Sequence, residues 1–426
     1  MQRTTRRRLT PGVLFMTGAL LLGACGSDKK SSETTVAAAT ETTAAAATET
    51  TAAATETTAA ATETTAAAVT ETTAAAAAAG SSAADRVATF RQALTALPFS
   101  EPITATPKAK KVYYVQCSVS ACSEIKTGIE AAAKALGWTV ESSVHKDTPD
   151  TVAAAFDAAI AAKPDVVLTS GNPREWFATQ LKTLEAAKIP VVAWSMPEKY
   201  EPGNGISANL LSNDDYYFYG VLMADWVATT TKTKHVMFVG LPTFPVLSTV
   251  QAGFKDELTK VCPDCKLDTF EVAVTDLGTN LPGQMVSKLQ ADKELDTVAY
   301  AFGGMLFGVP DALKAANLLG QATAISQAGG PMNFAFIKNG EHQAAEVGLA
   351  SELLGWRALD VAARLLSGGT SGRSTPPPAA MVDGHPDILV NGLPLQILQK
   401  GDLKDVTALW PGVVGFQDQF KKLWGV

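Results

Sequence analysis

From about residue 108 onward, short β-rich apolar runs alternate with stretches whose apolar positions recur at helical spacing. The first unit, residues 111–140, shows the pattern most plainly. Val112, Tyr113, Tyr114 and Val115 read as a buried strand. Beyond them Ile125, Ile129, Ala132, Ala133 and Leu136 fall on one helical face, Ser123 is placed to cap that helix, and Gly137 stops it. The intervening loop, residues 116–121, therefore lies at the carboxyl end of the first strand, where open parallel sheets bind ligands.

The unit then repeats. Strands are expected at 139–144, 166–169 and 190–193, with helices at 151–162 and 175–187. A turn-rich passage at 201–213 interrupts the series, which restarts with a long helix at 214–229. Further strands follow at 235–239, 267–274, 297–302 and 322–326, near Val347, and near Leu395. Helices are expected at 249–261, 281–291, 307–317, 332–338, 353–366 and 416–423. Such alternation defines an α/β protein with parallel sheets and right-handed crossovers. About 340 residues exceed one compact core, so the interruption at 201–213 marks a boundary between two lobes. An amphipathic helix at 86–97 belongs to an N-terminal extension, residues 85–107, assigned to packing.

The first 84 residues follow different rules. Arg3, Arg6, Arg7 and Arg8 precede an apolar core, residues 13–22, too short to span a bilayer, and Leu22-Gly23-Ala24-Cys25 resembles a bacterial lipobox. The expectation is a signal peptide, residues 1–24, removed before Cys25, whose sulfur is lipidated. Removal takes away four positive charges and no acid, so the formal charge moves from −7 to −11. An acidic chain of this kind is a poor nucleic-acid binder. Residues 25–84 carry TETT blocks at Thr40, Thr48, Thr55, Thr62 and Thr70 separated by alanines, a linker with nothing large to bury.

Beyond Cys25, four cysteines form two close pairs, Cys117 with Cys122 and Cys262 with Cys265, expected as disulfides in an exported chain. Both are assigned to holding loop shape. His145, His235, His342 and His385 are scattered without metal-ligand spacing and read as surface or capping residues, so no metal or other cofactor is expected. The sequence contains no nucleophile elbow and no phosphate-binding GxxxxGK, which leaves no basis for an enzyme. Trp176 and Trp194 sit in or beside strand-end loops and are candidates for lining a cleft; Trp356 reads as core.

From about residue 108 to 400 the chain resembles a type I periplasmic solute-binding protein of the ribose/galactose-binding branch, the lipoprotein component of an ABC importer. The marks are KPDVVLTSGNP, IPVVAWS, Ser212-Asn213-Asp214 with Gly220, Gly253-Phe254, the stretch 297–308 and the spacing in 336–345. The resemblance implies two Rossmann-like lobes with parallel sheets, joined by a three-crossover hinge near Asn213, Gly348 and Asn391, with the ligand cleft between them. Lobe 1 is expected at 108–212 and 349–390, and lobe 2 at 213–348 and 391–426. Carried over, the ligand residues are Gln116, Ser118, Ser120, Glu124, Asn172, Trp176, Trp194 and Ser195 from the first lobe. The second lobe offers Phe244, Ser248, Phe302, Gly303, Met305 and Gln327.

The chain departs from that pattern where sugar-binding relatives place an Arg near Ser248, an Asn-Asp pair near Phe302-Gly303 and an Asp-Gly at Ala328-Gly329. Those groups make the polar bonds to sugar hydroxyls, so the cleft is expected to be less polar than a ribose site. The implied function is a lipid-anchored, extracytoplasmic, monomeric binding protein that delivers a small molecule to an ABC transporter permease. A sugar or sugar-like compound is the leading ligand. The alternatives are a less polar or aromatic solute, or a ligand-sensing lipoprotein that signals to a membrane receptor.

Overall fold

The computed structural model describes residues 82–197, 203–370, 372, 389 and 391–426. The signal peptide, Cys25, nearly all of the linker and His385 lie outside the described residues. No helix among the described residues is long and apolar enough to cross a membrane.

The first sheet runs in the order β2-β1-β3-β4-β5, all parallel, from β1 (Lys111–Gln116), β2 (Thr139–Val144), β3 (Val166–Ser170), β4 (Val191–Trp194) and β5 (Ala208–Asn209). The second runs β11-β10-β9-β8-β6-β7, from β6 (His235–Gly240), β7 (Lys266–Glu271), β8 (Thr297–Tyr300), β9 (Thr323–Gln327), β10 (Gln343–Val347) and β11 (Ile397–Gln399). Only its edge strand β11 is antiparallel. The interior strands β3, β4, β6 and β8 are buried throughout, as continuous apolar runs covered by helices on both faces require, whereas the edge strands β2 and β7 leave residues exposed. Two lobes of Rossmann type result, as the sequence leads one to expect.

Each lobe is built on one pair of helices in backbone contact. In the first, α2 (Ser120–Leu136) crosses α10 (Ser351–Leu366), and a Cβ added at Gly128 would lie 2.1 Å from the Glu352 carbonyl oxygen. Gly355 reciprocates: its Cβ would lie 2.6 Å from the Ile125 oxygen. In the second, α5 (Asn213–Thr230) crosses α6 (Pro245–Val261), with Gly220 facing the Val250 oxygen at 2.1 Å and Gly253 the Tyr217 oxygen at 2.0 Å. The remaining helices complete the layers: α3 (Pro149–Ala162) and α4 (Ala178–Ala186) on the first sheet, and α7 (Leu281–Ala291), α8 (Val309–Ala315) and α9 (Pro331–Asn339) on the second.

Several local expectations shift. Helix α2 begins at Ser120 rather than at Ser123, with Val119 at the cap and Cys122 already in its first turn. The helix expected at 175–187 is a 3-10 turn, Arg174–Phe177, followed by α4. Residues 86–97 hold only α1 (Ala83–Phe90) and then an irregular segment. The C-terminal segment, expected wholly in lobe 2, divides: β11 pairs there, but α11 (Phe416–Trp424) packs on α10 and α2 of lobe 1. Its apolar face explains the move, since Trp424 stacks on Trp356 at 5.2 Å and Phe420 packs beside them. Both expected disulfides are present, with Cα separations of 5.7 Å at Cys117–Cys122 and 5.3 Å at Cys262–Cys265.

The close crossings carry a direct prediction. Gly253→Ala forces a methyl group against a backbone oxygen that no rotamer change can move, and lowers stability by about 3 kcal/mol in a denaturant titration. Ala at solvent-open Gly320, where nothing lies within 4 Å, is the matched control.

Candidate functional site

The carboxyl ends of both parallel sheets face each other across a cleft. Its inner chamber, about 90 Å³, collects loops from nearly every strand end. Lobe 1 contributes Cys117, Val119, Ala121, Cys122 and Ile125 after β1, Ser170 and Gly171 after β3, and Trp194 and Ser195 after β4. From lobe 2 come Tyr216, then Phe244, Val246 and Leu247 at the start of α6, Phe302 after β8, Gln327 and Ala328 after β9, and Leu349 after β10. An outer chamber of about 400 Å³ shares Val119, Phe302 and Ala328 with it and adds Ser120, Glu124, Phe307, Met332 and Asn333. Among the described residues, neither chamber is lined by a lysine, arginine or histidine.

The inner chamber is an aromatic and aliphatic box with few polar atoms. Trp194 is held from behind by Tyr114 at 5.5 Å between ring centroids, and Ser195 shares a 2.6 Å hydrogen bond with the Tyr216 hydroxyl. Gln327 is buried; its amide nitrogen donates to the Ala301 carbonyl at 2.8 Å, which fixes the amide's orientation and leaves Oε1 without a protein partner. A buried acceptor left unmade costs about 1–3 kcal/mol, a cost that a ligand donor removes. Ser195 and Ala328, one from each lobe, adopt left-handed backbone with φ of 57° and 53°, a conformation that non-glycine residues hold only under constraint from their surroundings.

The glycine pairs Gly303-Gly304 and Gly329-Gly330 make room for neighbouring protein atoms. A Cβ on Gly304 would lie 2.4 Å from the Phe302 ring, and one on Gly303 would lie 2.5 Å from Gly329 Cα. At Gly330 the neighbour comes from the opposite lobe: its Cβ would lie 2.6 Å from Glu124 Oε1, so the two lobes touch at this rim. Glu124 accepts a 3.2 Å hydrogen bond from Ser351, and burial holds its carboxyl above the usual range despite that bond. Behind it Glu346 is fully buried and accepts from Ser326, from the Gly329 amide and from Gln343. Burial pushes Glu346 up to about 7 against those three donors, and neighbouring Glu124 adds to the rise. Asn333 ties the same network to Gly303 and Gln343 at 2.9 Å each.

Of the residues expected at the site, Trp194, Ser195, Phe244, Phe302 and Gln327 line the inner chamber, as do Cys117 and Cys122; Ser120, Glu124 and again Phe302 line the outer one. The others stand elsewhere. Gln116 is buried and donates to Ser123 at 3.2 Å. Ser118 is exposed and bonded to Asp147. Asn172 is buried against His145 at 3.2 Å. Trp176, carried round by the 3-10 turn, packs on the core cluster of Phe156 and Phe177. Ser248 is exposed on α6, while Gly303 and Met305 are buried behind Phe302. Residues not singled out in the sequence, Ile125, Tyr216, Val246, Leu247 and Leu349, supply much of the apolar wall. Their only signal was apolar character within the first turns after strand ends.

The histidine reading also changes, because three of the four are buried. His145 sits between Asp147 and Asn172, and His342 between the Tyr300 hydroxyl and the Ala322 carbonyl, where burial pushes it down to about 4. His235 is clamped by Asp268 at 2.7 Å on Nε2 and Asp292 at 3.2 Å on Nδ1. Those carboxylates hold opposite ring nitrogens at the start of β6, on the sheet edge away from the cleft.

Two lobes with a cleft at the facing carboxyl edges of parallel sheets define the bilobal architecture of periplasmic binding proteins. Residues 113–370 match the model of the periplasmic binding protein domain, and the chain belongs to that family of extracytoplasmic solute-binding transport proteins. No curated protein matches the chain. Solved structures share its fold at low identity. A 5-methylthioribose transporter solute binding protein from Thermotoga lettingae, in complex with 5-methylthioribose, superposes with a TM-score of 0.58 at 17% identity, covering 75% of this chain and 95% of that one. A solute binding protein from Agrobacterium vitis bound with α-D-tagatopyranose gives 0.57 at 18%, covering 71% and 98%. A glucose-galactose binding protein from Geobacillus stearothermophilus gives 0.57 at 18%, covering 70% and 100%.

Glu346 makes stability depend on pH. Its folded value of about 7 exceeds the ordinary 4.5, so the stability it confers is complete below about 4.5 and is lost as pH rises through 7. The melting temperature falls between about pH 4.5 and 7, and Glu346→Gln removes part of that fall. An identical slope in the variant would place the titration elsewhere.

Proposed function

We propose that the chain is a lipid-anchored, monomeric solute-binding protein that captures a small uncharged molecule between its lobes and delivers it to an ABC transporter. The ligand is a sugar-like compound bearing an apolar substituent. Anchoring rests on the lipobox-like Leu22-Gly23-Ala24-Cys25 and delivery on family membership. The observation that carries the ligand reading is a cleft with an apolar inner chamber and, among its described lining residues, no basic side chain.

An anionic solute finds no counter-charge there and meets Glu124. A fully hydroxylated sugar buried in the inner chamber leaves most of its hydroxyls unpaired, at about 1–3 kcal/mol each. An apolar substituent suits that chamber, whose 90 Å³ is well below the several hundred typical of a whole-ligand pocket. The polar ring then occupies the outer chamber, within reach of Glu124 and Ser120. The amino ends of α2, α6 and α9 meet the same cleft and offer backbone N–H donors to ligand oxygens. A pentose carrying a thioether, as bound by the Thermotoga lettingae protein, combines these features. Capture then works by hinge closure: contacts made to both lobes stabilise the closed state, which the transporter recognises.

A thermal-shift screen of the full chain tests this with neutral sugars, deoxy- and thio-substituted sugars, nucleosides, small aromatics and acidic sugars. A substituted neutral sugar at a hundred times its Kd stabilises by about 2.7 kcal/mol, and acidic sugars leave the melting temperature unchanged. Phe302→Ala and Glu124→Gln each weaken that binding about tenfold or more. A response confined to acidic solutes, or turnover of the bound compound, would contradict the reading.

A further inference from the structure

Residues 82–107 precede the first strand, and their path crosses both lobes. At its start α1 lies on α5: buried Arg86 pairs with Asp225 at 2.7 Å and also contacts Glu257 of α6, and Phe90 meets Phe218 edge-on at 5.3 Å. Arg91 extends this anchor to the edge of the second sheet, donating to the Ile397 carbonyl at 3.1 Å and pairing with Asp402 at 2.6 Å. Residues 92–96 are exposed and carry the chain across to lobe 1. There the Leu97 amide donates to Gln419 of α11 at 2.9 Å, the Ile103 amide to the Leu423 carbonyl at 2.9 Å, and Thr106 to the Trp424 carbonyl at 2.6 Å. Arg364 of α10 closes the second anchor on the Glu101 carbonyl at 2.6 Å.

Within the second anchor the segment presses on the hinge itself. A Cβ on Gly392, whose φ is +71°, would lie 2.4 Å from the Phe99 ring. The Arg357 guanidinium lies 4.5 Å from the centroid of that ring, and its Nε donates to the Asn391 carbonyl at 2.8 Å. Asn391 in turn donates to the carbonyls of Asn209 at 3.1 Å and Leu210 at 3.0 Å. Phe99 thus bears on the third crossover, which is bonded to the first. Lobe opening is a change of φ and ψ at a few such residues, and a ring packed on them resists it.

We propose that residues 82–107 form a strap that clamps the hinge and limits how far the lobes open, so that solute release is governed by the strap as well as by cleft contacts. The six residue steps from Arg91 to Leu97 span at most about 21 Å, and each end is held by buried or half-buried bonds to its own lobe. The strap therefore sets a length limit on one side of the molecule and a steric limit at Gly392.

Hydrogen exchange of the full chain, read by mass spectrometry without added solute, tests the strap. A Gly-Ser-Gly-Ser insertion between Thr95 and Ala96 leaves both anchors docked but uncouples them. Amides of the cleft loops, residues 116–121, 302–306 and 327–330, then exchange about tenfold faster while α1 and α11 keep their protection. Arg91→Ala, which removes the half-buried last contacts of the lobe 2 anchor and so lengthens the free span, produces the same pattern more weakly. Unchanged cleft exchange in both variants, or acceleration spread evenly over the whole chain, would overturn the proposal.

Discussion

Backbone contact at four glycines determines where the cleft lies. Gly128 with Gly355, and Gly220 with Gly253, bring two helices in each lobe closer than any side chain permits. With the axes pinned at these points, the amino ends of α2 and α6 arrive at the carboxyl edges of their sheets at fixed depth. The disulfide at Cys117–Cys122, the first turn of α2 and the Phe244–Leu247 segment of α6 then form facing walls. A methyl group at any of the four would separate the helix pair by moving backbone, and the cleft walls would move with it.

The walls so placed are chemically unequal. The deep chamber is built of rings, aliphatic side chains and a disulfide, and its free hydrogen-bonding capacity is concentrated in Gln327 Oε1 and the Ser195–Tyr216 hydroxyl pair. Toward solvent polar groups enter the lining, Ser120, Asn333 and Glu124, the last backed by the buried Glu346 network. Such a gradient is what the proposed solute, apolar at one end and polar at the other, rests on. Passages of chain between the lobes are where the proposed control of solute release lies. α11 returns to lobe 1 and the N-terminal segment bonds to both lobes, so these passages connect the lobes in addition to the expected crossovers.

Much of the fold was legible because strand and helix periods differ and each strand here is short and buried. Val112–Val115, Val166–Leu168 and Val236–Val239 are continuous apolar runs that only doubly covered parallel strands tolerate. Helix partners were not legible. The amphipathic face of residues 416–424 shows that α11 buries one side, but nothing local says that Trp424 stacks on Trp356 of the other lobe. The site divides in the same way. Trp194 and Gln327 end strands and Phe302 follows one by two residues, so topology alone delivers them to the cleft. Trp176 lies beyond β3 in a 3-10 turn that lays the half-buried ring against the core cluster, and buried His145 and Asn172 satisfy each other. Apolar wall residues such as Ile125 and Leu349 look like any core position until the opposing lobe is in place.

Native mass spectrometry of the full chain isolated from the cells that produce it tests most directly whether the inter-lobe cleft holds one small uncharged solute. The account predicts a single neutral adduct per chain, absent from Phe302→Arg, in which a long charged side chain fills the passage between the chambers. An adduct retained in full by that variant, or an adduct that is acidic, would contradict it.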